Sequence, residues 1–399
     1  MSLIIGLIIG VTLGIIPGGN PVISAWLSDF LPIEGKITSV ITTFIVSGVK
    51  LSNPQTSGDL NGMISEACSQ EEERSNSPSS GVSEEVDVKK IAIERLFYFL
   101  GSFICALPIL TIRQGINTFF FPSVVILAMG IGLYICPPFN LMLRRSKLPY
   151  LIYSYLLIIV GVGSLGMFYL AQIMSIANPI YIVSISMFFP WERIFKWGLR
   201  ATKPKSNMNE PINPGDLFIS TGLTFGMGGW NAPLTGYSLD LFEKKKVENY
   251  PRDRVKRSLF IEAIAEGIRL GSVLYGIDRL ESRSAITQSI KEGVDIAFID
   301  YRWEIILAVI GASLMLFLLV ESPFPDIYAK YAKSKSANLL FYGIMAGTVF
   351  GSGGIKALPI LGIGIIVNYL TTSRMLWASD PKAGNRARST VFIYPILFF

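Results

Sequence analysis

Three apolar segments of the chain are each interrupted by a glycine-rich turn, and this pattern constrains the fold more than any other feature. Each half of a segment has about 10–15 residues, or about 15–22 Å at the rise of an α-helix, which is too short to cross a hydrocarbon core of ~30 Å. We therefore predict that each segment is a helical hairpin that dips into a membrane and returns. The segments are LIIGLIIGVTLGIIPGGNPVISAWLSDFLP at 3–32, FISTGLTFGMGGWNAPLTGYSLDLF at 218–242 and LLFYGIMAGTVFGSGGIKALPILGIGIIVNYLT at 339–371.

The composition agrees with a membrane location. Of the 399 residues, 51% are hydrophobic and only 16% are charged, and the mean hydropathy is +0.49. Soluble globular domains rarely combine these values. We predict an all-α polytopic protein that crosses the cell (plasma) membrane several times, with the lipid bilayer as its first partner. The predicted apolar segments are 3–16 with 21–31, 37–52, 91–112, 118–141, 148–172, 176–190, 218–228 with 232–242, 258–277, 303–321, 339–351 with 357–371, and 389–399.

Short connectors rich in lysine and arginine predict which segment ends are cytoplasmic. With these connectors inside, the N-terminus lies outside, and the first half of the chain is a hairpin, an inward span and an outward span. The second half is a hairpin, an outward span and an inward span. This order is an inverted repeat, which with discontinuous helices is typical of secondary transporters. The connectors are 144–147, 196–205, 244–257, 330–335 and 374–388.

The same pattern divides the chain into three parts. Residues 1–143 form a first membrane repeat, which includes an acidic, serine-rich stretch at 53–88 that we predict to be a disordered cytoplasmic loop. Residues 144–214 contain connecting helices and a basic cytoplasmic linker. Residues 215–399 form the second, inverted repeat with the C-terminal hairpin. The charged part of the loop, 66–87, is either merely solvated or a docking element, and the sequence does not decide between them.

Several classes of chemistry are excluded by what the sequence lacks. The chain has no histidine, which rules out imidazole zinc sites and Ser-His-Asp triads. Its cysteines, Cys68, Cys105 and Cys136, have no metal-binding or paired spacing. No nucleotide-binding or protease motif is present. We therefore predict a protein that is not an enzyme, has no metal site or cofactor, and does not bind nucleic acid, because its basic residues lie in connectors without interleaved aromatics.

The glycine-rich breaks are the first candidate site. Backbone N–H groups at the start of a second half-helix can point into a cavity, where the helix dipole favours an anion. The predicted substrate-binding residues are Gly18, Gly19 and Asn20 in the first break, and Gly228, Gly229 and Asn231 in the second. The alternative is that these are only tight turns between packed helices. The third break, at 352–354, is the weaker member of the set.

Charged residues inside apolar segments are the second candidate site, because burying charge in a membrane is costly. Glu262, Glu266 and Arg269 are spaced i, i+4 and i+7 and share one helix face. We expect the two glutamates to couple an ion and Arg269 to bind substrate. A structural ion pair remains an equal alternative. Glu94, Arg95 and Lys50 are further candidates, with Lys50 as another counter-charge for an anion.

The sequence GLIIGVTLGIIPGGNP at 6–21 resembles the opening of the large permease subunit of tripartite tricarboxylate transporters, especially the divergent archaeal branch. The stretch FIVSGVKLSNPQTSGDLNG, the AIAEGIRLGS helix and the glycine-broken C-terminal segment are similar to later features of that family. The resemblance implies uptake of carboxylates coupled to Na⁺ or H⁺. It also implies a small membrane subunit and an extracytoplasmic binding protein as partners.

We therefore expect a secondary active transporter for small organic anions such as di- or tricarboxylates, working by alternating access. Two alternatives stay open. One is a translocase for lipid phosphates such as polyprenyl phosphate, whose headgroup would suit the same helix termini. The other is a structural subunit of a membrane complex, docked through 66–87. The sequence does not decide whether the chain forms a homodimer.

Overall fold

The computed structural model describes most of both ends of the chain and parts of its middle. The described residues are 1–51, 57–58, 87–106, 166–176 without 168 and 172, 179–197, 251–275 and 297–373, with single positions 212, 217, 286, 289 and 290. Within these ranges the regular secondary structure is helical, without a β-strand, in agreement with the predicted all-α class. Three short 3-10 helices lie at Ser47–Lys50, Phe298–Tyr301 and Gly354–Lys356. The α-helices are α1 Ser2–Ile15, α2 Pro21–Leu27, α3 Ile33–Val46, α4 Val88–Ile104, α5 Pro179–Phe188, α6 Trp191–Ile194, α7 Pro251–Leu274, α8 Arg302–Glu321, α9 Phe324–Tyr331, α10 Lys335–Gly353 and α11 Ala357–Thr372.

The first broken segment folds back on itself. Gly18 has φ +83°, a left-handed conformation that ends the run of α1, and Asn20 then caps α2. Gly6 lies against Gly35 and Gly14 against Val46, so α1 and α3 run parallel. The Ser24 hydroxyl of α2 bonds that of Ser39 in α3 at 2.7 Å. Asp29, after α2, pairs with Lys36 at 2.9 Å, so α2 runs antiparallel to α3 and returns the chain towards the start of α1.

The third broken segment also folds back on itself beside a third helix, α5, but here the second arm rather than the first runs parallel to that helix. The ring of Phe189 stacks on Phe341 near the start of α10, whereas Ile182 contacts Gly353 at its end, so α5 and α10 run antiparallel. Asn368 of α11 donates to the carbonyl of Met187 at 2.6 Å. Since Gly364 lies against Ser186, α11 runs parallel to α5. The chain therefore reverses at Gly354, which has φ +56°.

Helices α3, α4, α7 and α8 form the central bundle. The Arg95 guanidinium of α4 reaches the carbonyl of Phe44 near the end of α3, and Lys89 at the start of α4 pairs with Glu321 at the end of α8 at 2.7 Å. Helix α4 is therefore antiparallel to both α3 and α8. Along α7, Gly267 lies against Phe99 and Gly271 against Phe103, so α4 and α7 run parallel. The side chains between them form one apolar core.

Among the described residues, two stretches are long and apolar enough to cross a membrane, judged by length and composition, and these indicate a membrane location. They are Phe298–Glu321, which contains α8, and Lys335–Thr372, which contains α10, the turn at Gly354 and α11. Along α8, five large apolar side chains spaced three or four residues apart are exposed on one face: Trp303, Leu307, Ile310, Leu314 and Leu318. An apolar stripe of this kind suits contact with lipid rather than water.

Several predicted boundaries differ from the structure. Helix α10 begins at Lys335, four residues before the predicted start, because the Ser334 hydroxyl caps it at the Ala337 N–H. Its 19 residues span about 28 Å, so this half of the third hairpin is not too short to cross the hydrocarbon core. Helix α7 begins at Pro251, inside the predicted basic connector 244–257. Helix α9 was not predicted. The predicted segments 118–141, 218–228 with 232–242 and 389–399, and most of 148–172, lie outside the described residues.

Candidate functional site

The break between α1 and α2 is held together by the side chain of Asn20, which is buried. Its Oδ1 accepts hydrogen bonds from the N–H groups of Val22 at 3.0 Å and Ile23 at 3.1 Å. Its Nδ2 donates to the carbonyl of Gly18 at 3.0 Å and to the Thr348 hydroxyl at 3.0 Å. Asparagine thus caps the second half-helix and also ties the break to α10.

The other side of the break is held by Lys50, whose side chain is fully buried. Its Nζ donates to the carbonyl of Ile16 at 3.0 Å and to that of Gly19 at 2.9 Å. These carbonyls follow the end of α1, where the helix dipole is negative, so an ammonium group is favourably placed. Lys50 lies in the 3-10 helix that continues α3. This short helix therefore supplies a positively charged side chain to the break of the hairpin that packs on α3.

The break is also covered from two sides. Gly58 lies against Gly18 and Gly19, and a methyl group on Gly58 would come within 2.5 Å of the Gly18 carbonyl carbon. Phe341 and Ile344 of α10 also lie against Gly18. The first break is therefore enclosed by residues from well-separated parts of the chain.

The first three residues of the predicted anion site lie in this turn. Gly18, Gly19 and Asn20 do form one compact turn deep among the helices. The expectation of backbone N–H groups pointing into a cavity is not met, because Asn20 Oδ1 occupies two of them and the Ser24 N–H bonds the Asn20 carbonyl at 3.1 Å. Gly19 donates its own N–H to the Ile16 carbonyl at 3.0 Å. An anion at this turn would have to displace one of these bonds.

A second group of buried polar residues lies where α4 packs on α7. Arg95 NH2 is 4.0 Å from Glu262 Oε2, and both side chains are almost completely buried. The same guanidinium donates to the Phe44 carbonyl at 3.1 Å and lies 4.4 Å from the centre of the Phe44 ring. Lys256, also buried, pairs with Glu94 at 3.0 Å. Arg95 and Glu94, two further candidates from the sequence, thus each form an ion pair with a residue of α7.

Glu266 and Arg269 are buried on the same helix, as their spacing predicted. Helix α7 packs against α4, α4 packs against the 3-10 helix of Lys50, and that helix packs against α1. The helix of Arg269 is thus connected to the first break through two intervening elements, α4 and the 3-10 helix that follows α3. Gly228, Gly229 and Asn231 lie outside the described residues, so the second predicted break has no description here.

Sequence reasoning missed several residues of these sites. No pattern in the sequence indicated the contact of Thr348 with the first break, because its partner Asn20 is 328 residues away. Lys256 was assigned to an exposed connector but is buried. A line of hydroxyl groups between α2 and α3 was also missed: Thr43 donates to Ser24 at 2.9 Å. The frequent serine and threonine residues of ITSVITTF at 37–44 were its only trace in the sequence.

Comparison with known proteins adds no assignment, since no family model, no curated protein and no solved structure matches the chain.

Proposed function

We propose that the protein is a secondary active transporter, a permease for small organic anions such as di- or tricarboxylates. The observation that carries the proposal is the first helix break. Its carbonyl and N–H groups are bonded by the buried side chains of Asn20 and Lys50 rather than being left to lipid, and the Asn20 amide is held in turn by Thr348 of α10. A membrane tolerates broken helices where protein or a watery cavity satisfies the backbone, and transporters use such breaks for substrates and ions.

The directions of the helices support an inverted repeat. In such a repeat α3 would correspond to α7, and α4 to α8, with opposite directions across the membrane. Helix α3 does run opposite to α7, because α4 is antiparallel to α3 and parallel to α7. The two-fold operation of the repeat would then superpose the packed pair of α4 and α7 on the packed pair of α8 and α3. These relations are those that a two-fold axis in the membrane plane requires.

The exposed apolar stripe of α8 supports membrane embedding of this bundle. Trp303, Leu307 and Leu318 each expose more than half of their surface. Together with the composition of the chain, this face is what a multi-pass protein of the plasma membrane would present to lipid.

The resemblance of 6–21 to the tripartite tricarboxylate permeases suggests the substrate class. In this proposal the carboxylate binds at Gly18, Gly19 and Asn20 and displaces a hydrogen bond of the turn. The positive charge of Lys50 on the adjoining carbonyls favours the anion. Gly228, Gly229 and Asn231 supply the corresponding half-site, Arg269 a further cation, and Glu262 and Glu266 couple Na⁺ or H⁺. A small membrane subunit and an extracytoplasmic binding protein are the partners that the resemblance suggests.

Uptake by the purified full-length chain tests the proposal. Labelled citrate and succinate are offered to proteoliposomes with an imposed proton gradient, an imposed Na⁺ gradient, or neither. We expect accumulation that collapses when an ionophore dissipates the driving gradient. In parallel, citrate should raise the unfolding temperature of the protein in detergent. Absence of both effects, with protection by a short-chain polyprenyl phosphate instead, would replace the carboxylate with a lipid phosphate headgroup.

A further inference from the structure

Lys50 is an unusual residue to find where α1 ends. An ammonium group inside a membrane protein is costly unless it is hydrogen-bonded or paired. Its Nζ donates to two backbone carbonyls of the break, those of Ile16 and Gly19. The Ile16 and Gly19 carbonyls lie on the two sides of Gly18, so the ammonium group draws the unwound turn together.

Unwound carbonyls at the end of a half-helix are the groups with which discontinuous membrane helices coordinate Na⁺. In this chain two such carbonyls are already bonded to a cation that belongs to the protein. In the described part of the chain, no three acidic, cysteine or histidine side chains cluster as metal ligands. A metal cation on these carbonyls would compete with the Lys50 ammonium group for them.

A second buried lysine of the same region is bonded in a different way. Lys36, on α3, is also almost fully buried, but its Nζ bonds the carboxylate of Asp29, whose side chain is 70% exposed. Lys36 thus reaches towards the surface to find a partner. Lys50, fourteen residues later, turns its ammonium group to backbone carbonyls inside the fold.

We propose that the Lys50 ammonium group is the resident cation of the first break and occupies the position that Na⁺ takes in other discontinuous helices. This inference deepens the proposed transport function. What it says about the coupling ion rests on that function. It predicts that no metal ion binds at the first break. A coupling ion then binds away from this break, and Lys50 positions the turn that receives the substrate.

The test compares the response to Na⁺ of wild type and of Lys50→Ala. The unfolding temperature of each purified full-length protein is measured in NaCl and in choline chloride at equal ionic strength. Removal of the ammonium group leaves two carbonyls that Na⁺ can bind. The rise in unfolding temperature from choline chloride to NaCl should therefore be larger in Lys50→Ala than in wild type, by roughly 2–4 °C. Stabilisation by Na⁺ bound elsewhere in the chain is the same in both proteins and cancels when the two temperature rises are subtracted.

Two further variants complete the test. Lys36→Ala removes another buried lysine of this region and should keep the response of wild type. Lys50→Gln retains a donor for the carbonyls but no charge, and it serves if Lys50→Ala does not fold; it too should gain more from Na⁺ than wild type. Equal responses in wild type and the Lys50 variants would overturn the inference.

Citrate uptake by the same preparations separates the two proposals. If no protein takes up citrate but the Na⁺ responses are as expected, the transport proposal fails and the assignment of Lys50 as the cation of the break stands. If wild type takes up citrate and the Na⁺ responses are equal, the Lys50 inference alone fails.

Discussion

Asn20 and Thr348 are joined by a hydrogen bond of 3.0 Å although 328 residues separate them in the chain. This bond connects the break of the first hairpin to the middle of α10, one arm of the last. The two hairpins also interlock through apolar contacts, since Ile23 lies over Gly347 and Trp26 over Gly351. The first and third hairpins therefore pack together around the first break.

Replacing Thr348 with valine should weaken this connection. The change keeps the shape of the side chain but removes the acceptor for Asn20 Nδ2, so we expect a loss of about 1–2 kcal/mol in the free energy of unfolding. Denaturant unfolding of the detergent-solubilised protein measures it. Thr371→Val is the matched control, because the Thr371 hydroxyl bonds carbonyls of its own helix. Equal losses in the two variants would mean that the bond between the hairpins contributes nothing of its own.

Asn20→Asp should impair transport more than stability. The carboxylate can still accept from the N–H groups of Val22 and Ile23, but it loses the Nδ2 donor and places a negative charge where we propose that the substrate carboxylate binds. Citrate uptake should fall at least about tenfold, which corresponds to ~1.4 kcal/mol. Asn368→Asp, at a buried asparagine of α11, controls for burying a carboxylate. Unchanged uptake in folded Asn20→Asp would remove Asn20 from the substrate site.

Gly10→Ala should separate α1 from α3. A methyl group at this position would lie 2.5 Å from Thr42 Cβ and 2.6 Å from the Ser39 carbonyl oxygen. Overpacking of this kind costs about 1–3 kcal/mol. Gly343→Ala is the control, because no described atom lies within 4 Å of the methyl group it adds. Thermal unfolding of the two variants should show a lower midpoint for Gly10→Ala alone.

Two of the ion pairs made by α4, one buried and one exposed, should differ greatly in their contributions. Arg95→Met leaves the buried carboxylate of Glu262 without its guanidinium neighbour, and breaking a buried pair in this way costs about 3–5 kcal/mol. Lys89→Met, which breaks the exposed pair with Glu321, should cost less than about 1 kcal/mol. Chemical denaturation of both variants measures the difference. Similar losses would show that the Arg95 contacts are no stronger than a surface pair.

The sequence was informative where backbone chemistry is local. Proline and glycine at 17–19 identify the break that ends α1, and the charge-free run at 305–320 identifies α8 within a few residues. The residues Glu262, Glu266 and Arg269, spaced i, i+4 and i+7, do lie on one helix, α7, and all three are buried. These features depend on neighbours in the chain, which a sequence displays directly.

The sequence was uninformative where partners are distant. A hydropathy pattern treats Lys256 as solvent-exposed, because its burial depends on Glu94 of another helix. It also placed the start of the last apolar segment at 339, after a connector at 330–335, since a polar first turn cannot be told from a loop without its cap. Lys50 was visible as a charge at the end of an apolar run, but its carbonyl partners could be identified only from the folded backbone.

The position of a third helix beside both arms of a hairpin also bears on how this chain enters a membrane. Helices α1 and α2 emerge from the ribosome before α3, so the first hairpin meets its shared partner only after it has left the exit tunnel. Helix α5 emerges before α10 and α11, which assemble around a helix that is already present. The polar groups of the first break therefore pass through a stage of synthesis without Lys50 and Thr348, whereas the last hairpin is complete almost as soon as it is made.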